Sequence, residues 1–158
     1  MRKEISNQDK LIDSRDVIKG IEELEGELES LVEELKDKSS IYADEEENTE
    51  EREAARSRVE EMEEQIKEWK ADYQEELDTL WALQEEAEGY CDWGNGETLI
   101  RGDYFETYAQ ELAEDCGIIG LHNRWPLNHI DWRAAAEELK QYYTSVDFGG
   151  EEYWVRCN

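Results

Sequence analysis

Two apolar seams run through the first half of this chain, and they do not share one heptad frame. Val17, Ile21, Leu24, Leu28, Leu31 and Leu35 follow one another at steps of 4, 3, 4, 3 and 4. That alternation marks the a and d positions of a helix that buries a narrow stripe against another helix. Ala55, Val59, Met62, Ile66, Trp69 and Tyr73 repeat the same steps. Extended forward, the first frame puts Thr49 and Arg56 at a and Val59 at d, whereas the second frame puts Val59 at a. Either one continuous coiled coil stutters between the seams, or the chain turns and the seams face each other in a helical hairpin. The hairpin is preferred, because a local turn lets the two seams meet. A continuous rod that pairs with a second chain is the alternative.

The flanking residues set provisional limits. Residues 1–12 read as a polar, flexible lead-in. Asp13 or Ser14 suits a helix N-cap, so the first helix is expected from about Ser14 to Lys38. Glu34–Lys38 and Glu33–Lys36 have the spacing of supportive ion pairs. Ser39-Ser40 and Asn48-Thr49 are mild breakers where the seam fades. The second helix runs on through Leu77, Leu80, Trp81 and Leu83 to about Glu88, and Gly89 stops it. Residues 13–88 are thus read as an acidic coiled-coil region and residues 89–158 as a small α+β module. The class is mainly α with a terminal β-hairpin.

Within that module Gly94-Asn95-Gly96 signals a turn and Thr98-Leu99-Ile100 a short strand. Asp103 and Glu106 have capping-box spacing ahead of a helix carrying Phe105, Tyr108, Ala109 and Leu112. Asp131 suits the N-cap of another helix. Val146, Phe148, Tyr153 and Val155 alternate around Gly149-Gly150, the pattern of a hairpin.

Charge narrows the partners. Forty-four acids against 17 bases give a net charge of −27, far above the usual magnitude of about 2–8 for a small domain. Such a chain repels nucleic acid and anionic membranes and attracts basic surfaces. With 10% aromatic residues, six of them Trp, it is not the composition of a disordered acidic tail. No apolar run reaches the roughly 18 residues of a membrane helix, and Met1-Arg2-Lys3-Glu4 leads into no apolar signal segment. A cytoplasmic setting is expected, with Cys91, Cys116 and Cys157 as buried free thiols.

Acidity peaks where the seams break. Residues 44–51 hold six acids and no base, and residues 44–88 hold 19 acids and five bases. As one helix that segment would span roughly 67 Å. Two such faces side by side would carry a net charge every 2.4 Å or so, against about 1.7 Å in duplex DNA. Glu46–Glu50, Glu47–Glu51, Glu60–Glu64 and Glu64–Glu68 read as repulsive i,i+4 pairs. The contact surface is therefore placed on Asp44, Glu45, Glu46, Glu47, Glu50, Glu51, Glu60, Glu61, Glu64 and Glu68. The oligomer seam is placed on Val17, Ile21, Leu24, Leu28, Leu31, Leu35, Val59, Met62, Ile66 and Trp69. A solvated coiled-coil exterior would show the same charge, so both readings stand on charge alone.

Catalytic signatures are not found. His122 and His129 with the three cysteines match no zinc spacing, and no P-loop, nucleophile elbow or dinucleotide motif occurs. No cofactor and no metal are expected.

The run Asp103-Tyr104-Phe105-Glu106-x-Tyr108-Ala109-x-Glu111-Leu112-Ala113-Glu114-Asp115 resembles an acidic helix of ArdA-type antirestriction proteins. Ile130-Asp131-Trp132, with Ala136, Leu139 and Tyr143, is similar to a second helix of that family. Val146-Asp147-Phe148-Gly149-Gly150, with Tyr153-Trp154-Val155-Arg156, is similar to its closing hairpin. The resemblance covers about 55 residues and implies an acidic, dimeric, non-enzymatic DNA mimic carried by phages or mobile elements. Such proteins occupy the nucleic-acid groove of host restriction enzymes. This chain departs from the family in having one such module, preceded by a coiled coil, which leaves a CRISPR-type complex open as target. The alternative is a structural coiled-coil adaptor whose charge confers solubility.

Overall fold

The computed structural model describes residues 4–47, 49–120 and 125–156. Its elements are β1 (Leu11–Asp13), α1 (Ser14–Asp44), α2 (Glu50–Glu88), β2 (Thr98–Arg101), α3 (Phe105–Asp115), α4 (Trp132–Leu139), β3 (Tyr143–Phe148) and β4 (Glu151–Arg156). They form two compact units, residues 19–79 and residues 4–18 with 80–156. The division crosses both long helices and does not fall at Gly89. No helix among the described residues is long and apolar enough to cross a membrane.

In the unit of residues 19–79 the chain turns, and α1 and α2 form a helical hairpin. Trp69 Nε1 donates to the Glu27 carboxylate at 3.2 Å, and the Arg52 guanidinium lies 4.6 Å from the centre of the Tyr42 ring. Partner numbers rise along one helix as they fall along the other, which is the mark of antiparallel neighbours. The mismatch of frames thus reflects a turn between two separate stripes. Helix α1 continues past Lys38 to Asp44 before the chain turns.

Burial along the stripes is uneven. Val17, Ile21 and Leu24 are buried, whereas Leu28, Leu31 and Leu35 are half-buried. On α2, Ala55, Met62, Trp69 and Leu77 are buried, with Val59, Ile66 and Tyr73 half-buried between them. Two helices cover only a narrow strip of each other, so the second apolar row stays partly wet.

The other unit is built on an antiparallel sheet in the order β1-β2-β4-β3. Ile100 and Trp154 pair across β2 and β4 and so share one face. On that face Ile100, Phe105, Ala109 and Ala136 form a buried cluster, with Tyr104, Tyr108, Leu139, Tyr143 and Trp154 packed around it. Helices α3 and α4 therefore cover this side. Phe105 is its centre, meeting Tyr143 edge-on at 5.0 Å and Trp154 at 6.1 Å. Lys140 sits over the Trp154 ring at 4.7 Å.

Register places Ile12, Leu99, Tyr153, Val155, Val146 and Phe148 on the opposite face, and all are buried. Val17, Leu80, Leu83 and Ala87, at the ends of the long helices, are buried in the same unit. The Glu86 carboxylate accepts the Asp147 backbone N–H at 3.2 Å and ties this end of α2 to β3. Ser14, fully buried, donates to Trp93 O at 2.7 Å and accepts from Glu97 N at 2.8 Å.

Residues 4–12 are more ordered than their composition suggests. Within the expected lead-in, Leu11 and Ile12 belong to β1, and Ile5 and Ile12 are buried. Arg101 Nη1 donates to Gln8 O at 2.6 Å, Asn7 to Gly149 O at 2.8 Å, and the Tyr153 hydroxyl to Asp9 O at 2.6 Å. These long-range bonds hold a segment whose own sequence carries little apolar pattern.

Other local expectations resolve case by case. Asp13 accepts the Arg15 N–H at 2.9 Å and Asp131 the Ala134 N–H at 3.0 Å, both as N-caps. Gly149 and Gly150 take φ of 58° and 83°, the left-handed conformations of a tight hairpin turn. The capping box at Asp103 does not form. A short 3-10 turn, Gly102–Tyr104, precedes α3, and Asp103 pairs with Arg101 at 2.6 Å. That guanidinium holds the Asp103 carboxyl below its ordinary range.

Two measurements check this architecture. Leu24→Ala should lower unfolding free energy by about 2–4 kcal/mol and Leu35→Ala by about 1 kcal/mol, because only the first site is fully buried; chemical denaturation reads the difference. Burial pushes the Tyr153 phenol up to about 12. A raised phenol contributes stability that is complete below about pH 10, its ordinary value, and is lost as pH climbs toward 12. Stability should therefore fall between those limits, and Tyr153→Phe should flatten that fall.

Candidate interaction surface

The densest acidity gathers where α1 hands over to α2. Residues 45–49 make the connection, and Thr49 caps α2. Its hydroxyl accepts the Arg52 N–H at 3.1 Å and donates to Glu46 O at 2.9 Å. Arg52 Nη1 donates to Glu45 O at 2.7 Å while its plane lies over Tyr42. One arginine thus binds a carbonyl just beyond α1 and stacks on the last turn of that helix. Tyr42, Glu47, Thr49, Glu50, Arg52, Glu53 and Arg56 line an open groove of about 470 Å³ at this turn.

This geometry revises part of the repulsion argument. Glu46 and Glu47 precede the helix to which Glu50 and Glu51 belong, so Glu46–Glu50 and Glu47–Glu51 are not i,i+4 neighbours on one helix. Glu50, Glu51 and Glu53 occupy the first turn of α2. There the helix dipole favours negative charge by a few tenths to about 1 kcal/mol each. Glu60 and Glu64, which do share a helix, have partners in Arg56 at 2.8 Å and Lys67 at 3.0 Å.

The expected contact residues are nonetheless on the surface. Asp44, Glu46, Glu47, Glu50, Glu51, Glu60, Glu61, Glu64 and Glu68 are exposed, and Glu45 is half-buried. By the 3.6-residue repeat, Glu60, Glu61, Glu64 and Glu68 fall on the side of α2 opposite Ala55, Met62 and Trp69. Residues 19–79 hold 24 acids and eight bases, a net −16. Four of those bases, Lys19, Lys38, Arg56 and Lys67, are in ion pairs within their own helix. The α2 part, residues 50–79, spans roughly 45 Å, so the net −16 of the whole hairpin, turn included, amounts to one charge per 2.8 Å or so of its length.

The seam residues divide differently. Ile21, Leu24, Leu28, Leu31, Leu35, Val59, Met62, Ile66 and Trp69 lie in the hairpin unit, while Val17 lies in the sheet unit. A second groove, of about 530 Å³, opens on the hairpin beside Gly26, Glu27, Ser30, Leu31 and Trp69.

The side chains considered for metal or thiol chemistry do not assemble. Cys116 is exposed and Cys91 half-buried, against the expectation of buried thiols. Cys116 lies just past the last turn of α3, beyond its apolar face. His129 is exposed, and His122 and Cys157 lie outside the described residues. Among the described residues no three His, Cys, Asp or Glu side chains are grouped to hold a metal ion.

Thr49, Arg52 and Tyr42 were not singled out from the sequence. A usable signal existed: Thr49 directly before Glu50, Glu51 and Glu53 is an N-cap followed by an acidic first turn.

Compared with known protein families, curated proteins and solved structures, the chain matches none.

Thr49→Ala should destabilise the hairpin by about 1 kcal/mol, and Arg52→Ala should loosen the turn further. Hydrogen exchange of residues 45–56 should speed up in both variants while the β3–β4 amides keep their protection. Uniform acceleration across the chain would contradict a local role.

Proposed function

We propose that this protein is a non-enzymatic DNA mimic of phage or mobile-element origin, acting in the host cytoplasm. Its acidic hairpin occupies the basic nucleic-acid groove of a bacterial restriction or CRISPR-type complex. The observation that carries this reading is the hairpin's charge. A net −16 over residues 19–79 is combined with an exposed acidic face opposite the buried stripe of α2. Such a surface speeds association with a cationic groove and competes with the polyanion that normally fills it.

The resemblance of residues 103–156 to ArdA-type proteins points to the same class of target. Its motifs fall on α3, α4 and the β3–β4 hairpin, so the three likenesses belong to one folded unit. A homodimer belongs to this proposal too.

A structural adaptor is the second reading, favoured by the locally compensated charges at Glu50, Glu51, Glu60 and Glu64. Partner chemistry separates the two. Capture from a bacterial lysate at about 50 mM salt should recover a nucleic-acid-handling complex. Duplex DNA should displace that complex, and roughly 200 mM salt should weaken its binding by at least tenfold. Replacing Glu60, Glu61, Glu64 and Glu68 with Gln should reduce both the affinity and its salt slope. Recovery only of structural partners, indifferent to salt and DNA, would overturn the proposal.

A further inference from the structure

The groove beside Trp69 has a chemistry of its own. It is lined by Gly26, Glu27, Ser30, Leu31 and the small part of Trp69, 8% of its surface, that stays exposed. Trp69 is held in place, since its Nε1 donates to Glu27 at 3.2 Å and its ring packs on Tyr73 at 5.6 Å. Gly26 leaves the groove open: a Cβ there would meet no atom within 4 Å. Gly26 also lies inside α1, where glycine costs roughly 1 kcal/mol against alanine. Glu22, Glu23, Glu25 and Glu29 surround it on the same helix.

Building on the proposed mimicry, we infer that this groove is a socket for one arginine side chain of the basic partner. Charge complementarity and shape both favour that occupant. A guanidinium lying along the indole gains a cation–π contact, and the Glu27 carboxylate can accept its planar donors. A negative field from the whole hairpin draws the cation in. An uncharged or acidic side chain would find the aromatic wall but lose both electrostatic contributions. Trp, Tyr and Arg are also the residues enriched at the energetic centre of interfaces. The socket thus adds a fixed point of registration to an attraction that charge alone leaves diffuse.

The test uses the full chain with a nitrogen-labelled indole, and a deca-arginine peptide as probe. The Trp69 indole resonance is identified by its loss in Trp69→Phe. It should shift saturably with the peptide, and less with deca-lysine. Gly26→Leu fills the groove while favouring the helix. It should lower peptide affinity roughly fivefold and abolish the Trp69 shift, with thermal stability kept or raised. Glu27→Gln, which keeps an acceptor for the indole N–H, should lower affinity to a similar extent. The inference is overturned if the peptide binds without moving the Trp69 resonance, or if Gly26→Leu binds as well as the parent. It is also overturned if the resonance moves with protein concentration alone, which would mark a second copy in the groove. These readouts need no host complex, so the socket and the mimicry fail separately.

Discussion

Helices α1 and α2 each carry an apolar stripe too narrow to make a core and too long to leave in water. Pairing them within one chain solves both problems, and the turn at residues 45–49 makes the pairing possible. Arg52 and Thr49 secure that turn with backbone hydrogen bonds on both sides. Once the stripes face each other, the carboxylates have only outward positions left. The outward placement of the acidic surface is therefore a consequence of the pairing. Any substitution that opens the seam also disperses the charge.

The sheet unit solves a different packing problem. Both of its faces are buried, one beneath α3 and α4, and residues near the start of α1 and the end of α2 are buried in the same unit. Strand β1 and the residues before it close one edge through bonds to β2 and to the β3–β4 hairpin. The sheet unit therefore needs both ends of the long helices and is built from two separate stretches, residues 4–18 and 80–156, whereas the hairpin unit is the single stretch 19–79.

Legibility followed the range of the interactions. Elements that rest on local chemistry were readable. These include the Asp131 cap, the Gly149-Gly150 turn, the strand at Thr98–Ile100 and the heptad stripes. The turn could be inferred because the two frames disagreed, an unusual case in which a long-range event leaves a local trace. Residues 4–12 were misread as flexible, since what holds them is Arg101, Gly149 and Tyr153, about 90 to 140 positions away in the chain. The Asp103 box failed because the carboxylate pairs with Arg101, two residues earlier. Of the candidate surface, the exposure of the acids was legible from periodicity. Their partial compensation by Arg56, Lys67 and the start of α2 was not, because it depends on where the helix begins.

The central claim is that a partner reads the outward acidic face, and carboxylate labelling tests it most directly. The free protein and its lysate-captured complex would be treated with a water-soluble carbodiimide and an amine, then compared residue by residue. The account predicts strong protection of Glu60, Glu61, Glu64, Glu68 and the carboxylates of residues 44–51 in the complex, with Glu106 and Glu138 labelled as before. Equal labelling of the hairpin carboxylates in both states would contradict it.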